Sequence, residues 1–186
     1  VLAACDVAEL RRIDGVAWLG DVVSALRSHA EGSGAALRDY ACTLVLAVVD
    51  SQGGAFFQIG DGAIVIRDGD PCRPVFWPQS GEYANTTYFV TDQDAADRLQ
   101  FFSVTGAIRD VAVFTDGLQA LALRFAERAA HAPFFDPMFD RLREQPSGEA
   151  EQLTPQLRAF LDSEPVNVRT DDDKTLLLAT RLLPVE

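Results

Sequence analysis

Residues 43–67, TLVLAVVDSQGGAFFQIGDGAIVIR, hold three apolar runs separated by two turns. Leu44–Val49 is rich in Val and Leu, Asp50-Ser51-Gln52-Gly53-Gly54 carries turn chemistry, and Ala55–Ile59 is a second run. That spacing predicts a β-hairpin. Gly60-Asp61-Gly62 punctuates it, Ala63–Arg67 reads as a third strand, and Asp68-Gly69-Asp70 turns again.

On the amino-terminal side, Leu2, Cys5, Val7 and Leu10 predict a helix over 2–11, and Trp18, Val22, Ala25, Leu26 and His29 predict another over 17–30. The run Glu31-Gly32-Ser33-Gly34 breaks the second, and a short helical piece with Leu37 leads into Tyr40. On the other side Pro71, Pro74 and Pro78 mark 71–85 as a surface excursion. Thr87–Thr91, Leu99–Val104 and Val111–Thr115 read as further strands. Helical spacing returns from Leu118 to about His131, at Phe139–Glu144, and around Leu153, Leu157, Phe160 and Leu161, before a closing strand over Thr175–Leu183. Helices, a run of antiparallel strands, helices and one last strand make an α+β fold, with helices covering sheets rather than alternating with strands.

Of 186 residues, 28 are Asp or Glu and 16 are Lys or Arg, a formal net charge of −12. Nucleic acid is thereby disfavoured as a partner, because such binding draws its affinity from basic side chains neutralising phosphates. An anionic membrane surface is disfavoured for the same reason. At 48% apolar and 24% charged the chain is expected to form one globular domain. Its longest near-apolar run, Cys42–Val49, falls far short of the roughly 20 residues that span a bilayer. Three cysteines make no disulfide framework and suit a reducing cytoplasm. Much Ala, and Arg nearly to the exclusion of Lys, point to a bacterial source with a GC-rich genome. Starting at Val rather than Met, the chain is expected to be a trimmed or mature product.

Three acidic spots sit at the ends of apolar strands: Ile59-Gly60-Asp61-Gly62, Phe114-Thr115-Asp116-Gly117, and Thr170-Asp171-Asp172-Asp173-Lys174-Thr175. Carboxylates beside glycines that let the backbone turn sharply can gather hard oxygen ligands for Mg²⁺ or Mn²⁺. Each also has an ordinary reading. Asp116 or Thr115 can cap a helix opening at Gly117, Asp61 can be a hairpin turn residue, and Asp171–Asp173 can be a solvated run before an edge strand.

The order of these pieces resembles the metal-dependent serine/threonine protein phosphatases, the type 2C family, in a bacterial version. Ala41-Cys42-Thr43-Leu44-Val45 stands for the family's Gly-x-Thr strand start, and Phe57-Gln58-Ile59-Gly60-Asp61-Gly62 for its Gly-Asp-Ser-Arg hairpin. Phe114-Thr115-Asp116-Gly117-Leu118 matches its Ser-Asp-Gly segment, and Asp172-Asp173-Lys174-Thr175 its Asp-Asn-x-Thr ending. The resemblance implies a four-layer αββα sandwich of two antiparallel sheets flanked by helices. It implies an enzyme in which two Mn²⁺ or Mg²⁺ ions bridge a hydroxide that attacks a phosphoserine or phosphothreonine ester in line. Asp116 and Asp172 would be metal ligands and Asp61 an accessory one, at a position that helps hold a third ion in many members. Gly60, Gly117, Thr43, Asp173 and Thr175 would support the motifs. A phosphoprotein would be the partner, in cytoplasmic signalling.

Departures from the family pattern favour a second possibility, a non-catalytic binding or regulatory module or a domain remnant. The family's early acidic residue, its Asp-Gly pair and its phosphate-gripping basic residue lie upstream of the helix pair that opens this chain, so 1–186 reads as one domain lacking those strands. Ala120 stands where many relatives carry a further acid, and Gly62-Ala63 replaces Ser-Arg.

Other chemistries find less support. Cys5 and Arg11 have the spacing of a cysteine-dependent phosphatase, but the residues between them are acidic and helix-forming. His29 and His131 have no ligand-spaced Cys. Asp68-Gly69-Asp70 lacks the later Glu of a calcium loop, and Phe134, Phe135 and Phe139 read as core.

Overall fold

The computed structural model describes residues 14–80 and 87–182, so the helix expected over 2–11, with Cys5 and Arg11, lies outside the described residues, as does Leu183. The chain divides into two compact units, one of Val1–Gly62 with Phe76–Ala107, the other of Ala63–Val75 with Ile108–Glu186.

In the first unit α1 (Gly15–Ser33) begins where the Asp14 carboxylate accepts the Val16 and Ala17 N–H groups at 3.0 and 3.2 Å. It ends at Gly34, whose φ of 71° makes the left-handed cap that glycine adopts without strain. Three antiparallel strands follow in the order β1 (Leu44–Val49), β2 (Gly53–Ile59), β5 (Gln100–Thr105). The β1–β2 hairpin is the one its sequence announces: the Asp50 carboxylate accepts from Gln52 and Gly53 N–H and closes the turn. Every residue of β2 is buried. The Trp18 ring of α1 packs at a tilt against Phe57, centroids 4.9 Å apart, and Leu19 and Ile59 share a cluster with Val90 and Ala95, the latter in the single-turn helix α2 (Ala95–Arg98).

The second unit holds a four-stranded antiparallel sheet in the order β4 (Arg73–Pro74), β3 (Ala63–Arg67), β6 (Asp110–Phe114), β9 (Leu176–Thr180). Between β6 and β9 lie the short helix α3 (Gln119–Ala122), a ribbon of β7 (Leu123–Arg124) with β8 (Ala129–Ala130), then α4 (Ala132–Arg143), α5 (Thr154–Leu161) and α6 (Glu164–Asn167). Phe135 and Phe139 of α4 are fully buried, with Phe135 5.9 Å from Phe114 of β6.

Three expectations need correction. Thr87–Thr91 forms no strand: after Val90 N–H reaches Cys42 O at 2.9 Å, the Asp92 carboxylate accepts from Phe89 N–H and turns the chain. The helix expected from Leu118 to His131 stops at Ala122, because Leu123 is extended (φ −123°, ψ 145°) and pairs with Ala130. Leu118, Leu121 and Leu123 are all buried while Phe125 is exposed, so the apolar spacing fits a turn-and-ribbon as well as a helix face. The helix expected at Phe139–Glu144 begins seven residues earlier, at Ala132, and holds Pro137 inside it, where the burial of Phe135 and Phe139 offsets the loss of one backbone hydrogen bond. Within the expected surface excursion, Arg73 and Pro74 pair with Ile66 and Val65, and Cys72 is buried.

Candidate functional site

The β6–β9 ladder runs in register from Asp110↔Thr180 to Phe114↔Leu176. Beyond its last pair the two chains stay joined. Thr115 N–H donates to Thr175 O at 3.2 Å, and Thr175 N–H donates to the Thr115 hydroxyl oxygen at 3.0 Å. That hydroxyl in turn donates to Asp173 O at 3.3 Å. Thr115 therefore stitches two strand ends together; it makes no side-chain cap on the 3₁₀ turn Asp116–Leu118.

Gly117 sits against the acidic turn so closely that a Cβ there would run into the Asp173 carbonyl oxygen, with the Asp173 carbonyl carbon at 3.2 Å and Asp172 Cβ at 3.3 Å. Only glycine fits between two main chains at this approach. Asp116 and Asp172 are thus carried on two adjoining turns at one end of the sheet, both exposed. Asp116 Oδ1 accepts the next N–H, Gly117, at 2.9 Å, and Asp172 Oδ1 accepts Asp173 N–H at 2.8 Å.

Asp61 and its supports belong to the first unit. Asp61 follows β2 in a bend, half-buried. Gly60 before it has φ 97° and no room for a side chain, since a Cβ would meet Thr43 Cγ2 at 2.5 Å and Tyr88 O at 2.9 Å. Gln79 holds this bend from both sides: its side chain accepts Gly60 N–H at 2.7 Å, and its own N–H donates to Gly60 O at 3.1 Å. Thr43 and Gly60 are therefore partners in packing, a relation that their separation in the chain concealed.

Whether these residues suit a divalent cation depends on their donor chemistry. Mg²⁺ and its like take hard oxygens, keep several waters and are held by one or two carboxylates. Two exposed Asp side chains on a turn pair stiffened by glycine and threonine fit that description. Among the described residues, no group of three or more His, Cys, Asp or Glu side chains is placed so that it could hold a metal ion.

At the opposite end of the same strands lies a charge cluster that the sequence did not disclose. Asp110, fully buried, accepts from Arg67 Nε at 2.8 Å, from Arg143 at 3.0 Å and from the Thr180 hydroxyl at 2.6 Å. Arg67 also pairs with Asp70 at 2.7 Å and with Asp136. Burial pulls the Arg67 guanidinium down, but hydrogen bonds to Asp70, Asp136 and Asp110 outweigh it, and the net shift is upward. Its donors are spent on carboxylates, and its place is structural. Burial pushes the Cys72 thiol up, away from a reactive thiolate. His131 is half-buried against Leu121 O at 3.0 Å, and His29 packs edge-on to Tyr40.

A family model described as Protein phosphatase 2C matches residues 5–162, a stretch that includes Asp116 and stops short of Asp172. An Escherichia coli (strain K12) protein named Serine/threonine-protein phosphatase 3 is 44% identical over 154 residues, 83% of this chain and 61% of that protein. The chain thus spans less than two thirds of this relative's length. Among solved structures, a bacterial serine phosphatase superposes with a TM-score of 0.51 at 14% identity, over 90% of this chain and 68% of that one. PppA, titled a key regulatory component of T6SS in Pseudomonas aeruginosa, gives 0.53 at 16% identity, over 88% and 66%. These two likenesses establish a shared fold.

Proposed function

The chain belongs to the protein phosphatase 2C family, and on that premise we propose that it hydrolyses phosphoserine and phosphothreonine esters of proteins, using Mn²⁺ or Mg²⁺ held by Asp116 and Asp172. The observation that supports this reading most is the Thr115–Thr175 junction. Residues 58 positions apart and more in the chain meet there, so that an aspartate on each turn stands at one sheet end. A divalent ion bound there acidifies water and offsets the charge of the phosphoryl group.

The chain's own part is positional. Gly117 lets the turns touch, the Thr115 hydroxyl fixes Asp173 O, and the exposure of both carboxylates leaves the end of the sheet open to a phosphate carried on a protein surface. With a net charge of −12 the protein itself repels phosphate, and a bound cation would have to supply the attraction. No helix among the described residues is long and apolar enough to cross a membrane.

The test is phosphate release from a phosphothreonine peptide with Mn²⁺, with chelator, and with the Asp116→Asn and Asp172→Asn variants. Release should require Mn²⁺ and fall by more than about 100-fold in each variant, since even residues that merely support a metal ligand account for 10–100-fold. Equal turnover by parent and variants would refute the assignment. A second reading, a phosphatase-like binding or regulatory module without activity, is favoured by the lack of a three-ligand cluster among the described residues. It predicts phosphopeptide binding without release.

A further inference from the structure

Lys174, the only lysine of the chain, lies two residues past Asp172 in a run of three aspartates, yet its ammonium bonds neutral oxygens. It donates to Asn167 Oδ1 at 2.9 Å and, at a longer 3.4 Å, to Asp172 O. Asn167 is fixed from the other side, its Nδ2 donating to Asp162 O at 2.9 Å. An ammonium can only donate and a carbonyl can only accept, so these partners determine which way the Asn167 amide faces. A chain of hydrogen bonds therefore runs from the end of α5, through Asn167 of α6, through Lys174, to the main chain of the acidic turn. Val166, beside Asn167, is buried and anchors this short helix.

We infer that Lys174, braced by Asn167, is a positioning residue that sets the Asp172 turn for a divalent cation, so that the α5–α6 segment controls cation affinity. This inference rests on the metal reading of Asp172 given above. Two effects of Lys174 oppose each other. Its positive charge beside a cation site weakens metal binding, whereas its bridge to Asn167 orders the turn that carries the ligand. The geometry favours the second. Asn167 receives the ammonium at a full-strength distance, and the Thr115 hydroxyl reaches only Asp173 O, so that without the bridge the hydrogen bonds of Asp172 would all lie within its own turn.

Opposite signs separate the two. Mn²⁺ binding to the 186-residue chain, followed by the electron paramagnetic resonance signal of free Mn²⁺, is compared for the parent, Asp172→Asn, Lys174→Met, Lys174→Arg, Asn167→Ala and the Lys174→Met/Asn167→Ala pair. Thermal unfolding without metal checks that each is folded. Positioning predicts that Asn167→Ala, which changes no charge, and Lys174→Met each weaken Mn²⁺ binding about tenfold. It also predicts that the pair is no weaker than the worse single variant, because both break one bridge, and that Lys174→Arg stays within about threefold of the parent. If Lys174→Met binds Mn²⁺ more tightly while Asn167→Ala is unchanged, Lys174 acts only as a charge and the inference is overturned. No Mn²⁺ binding by the parent, or none lost in Asp172→Asn, would overturn the metal reading and this inference with it. Loss in Asp172→Asn beside unchanged binding in both bridge variants would overturn the positioning role alone.

Discussion

Replacing Gly117 by Ala adds one methyl where the 3₁₀ turn meets the acidic turn. The new Cβ would overlap the Asp173 carbonyl oxygen and press on Asp173 C at 3.2 Å and Asp172 Cβ at 3.3 Å. The obstructing atoms are mostly main chain, so no flexible side chain can swing aside. Overpacking of this kind costs about 1–3 kcal/mol. Retreat of the turn would also stretch Thr115 Oγ1 to Asp173 O, now 3.3 Å, and Thr175 N to Thr115 Oγ1, now 3.0 Å. Each such bond is worth about 1 kcal/mol, less here because water can replace it. A net loss of about 2 kcal/mol lowers the unfolding temperature by about 4–8 °C for a chain of this length. Gly20→Ala serves as the internal control. That glycine lies within α1 with nothing inside 4 Å of a Cβ, and Ala there should stabilise the helix by about 0.5–1 kcal/mol. Differential scanning calorimetry reads both variants. Gly117→Ala melting with the parent and binding Mn²⁺ equally well would refute the claim that the two turns are held in contact.

Asp110→Ala leaves Arg67 and Arg143 facing a vacated buried site, and should cost about 3–5 kcal/mol in calorimetric stability. A loss under 1 kcal/mol would show that water reaches the cluster. Phe135→Ala opens a cavity beneath β6 and should cost about 3–5 kcal/mol; near-neutral behaviour would place α4 off the sheet. Hydrogen bonds from Arg73 hold the Asp68 carboxyl below its ordinary range, and one from Arg67 does the same for Asp70. A depressed folded-state value means that these pairs contribute stability in full above about pH 4, and that it is lost as pH falls through the depressed values. Melting temperatures should therefore drop on going from pH 5 towards pH 2, less steeply in Asp68→Asn; an unchanged slope would contradict the pairing.

Much of the first unit is written locally. Asp50, with the glycines after it, states the β1–β2 hairpin because the turn bonds form within four residues. Asp14 and Gly34 set the ends of α1 in the same way, though the apolar spacing alone placed them two or three residues inside. What failed was decided at a distance. Leu118, Leu121 and Leu123 recur as a helix face would, and only their burial, with Phe125 left exposed, distinguishes the ribbon. The start of α4 at Ala132, ahead of the expected Phe139, is likewise set at a distance, because the buried Phe135 finds its cover on Phe114 of β6. The candidate site shows both kinds of residue. Asp116 and Asp172 could be picked out as acids at strand ends, but Thr115 as the stitch and the Arg67–Asp110 cluster join residues too far apart to leave a spacing, while Asn167, only seven residues from Lys174, is one polar residue of a short helix that no apolar pattern marks.

Crystals of the chain grown with Mn²⁺ and measured at the manganese absorption edge would show directly whether two distant aspartates share a cation. The expected result is an anomalous peak bonded to carboxylate oxygens of both Asp116 and Asp172, at the roughly 2.0–2.6 Å of hard-cation coordination. A peak away from both residues, or carboxylates farther apart than one ion or a pair about 3.5–4 Å apart can bridge, would contradict it.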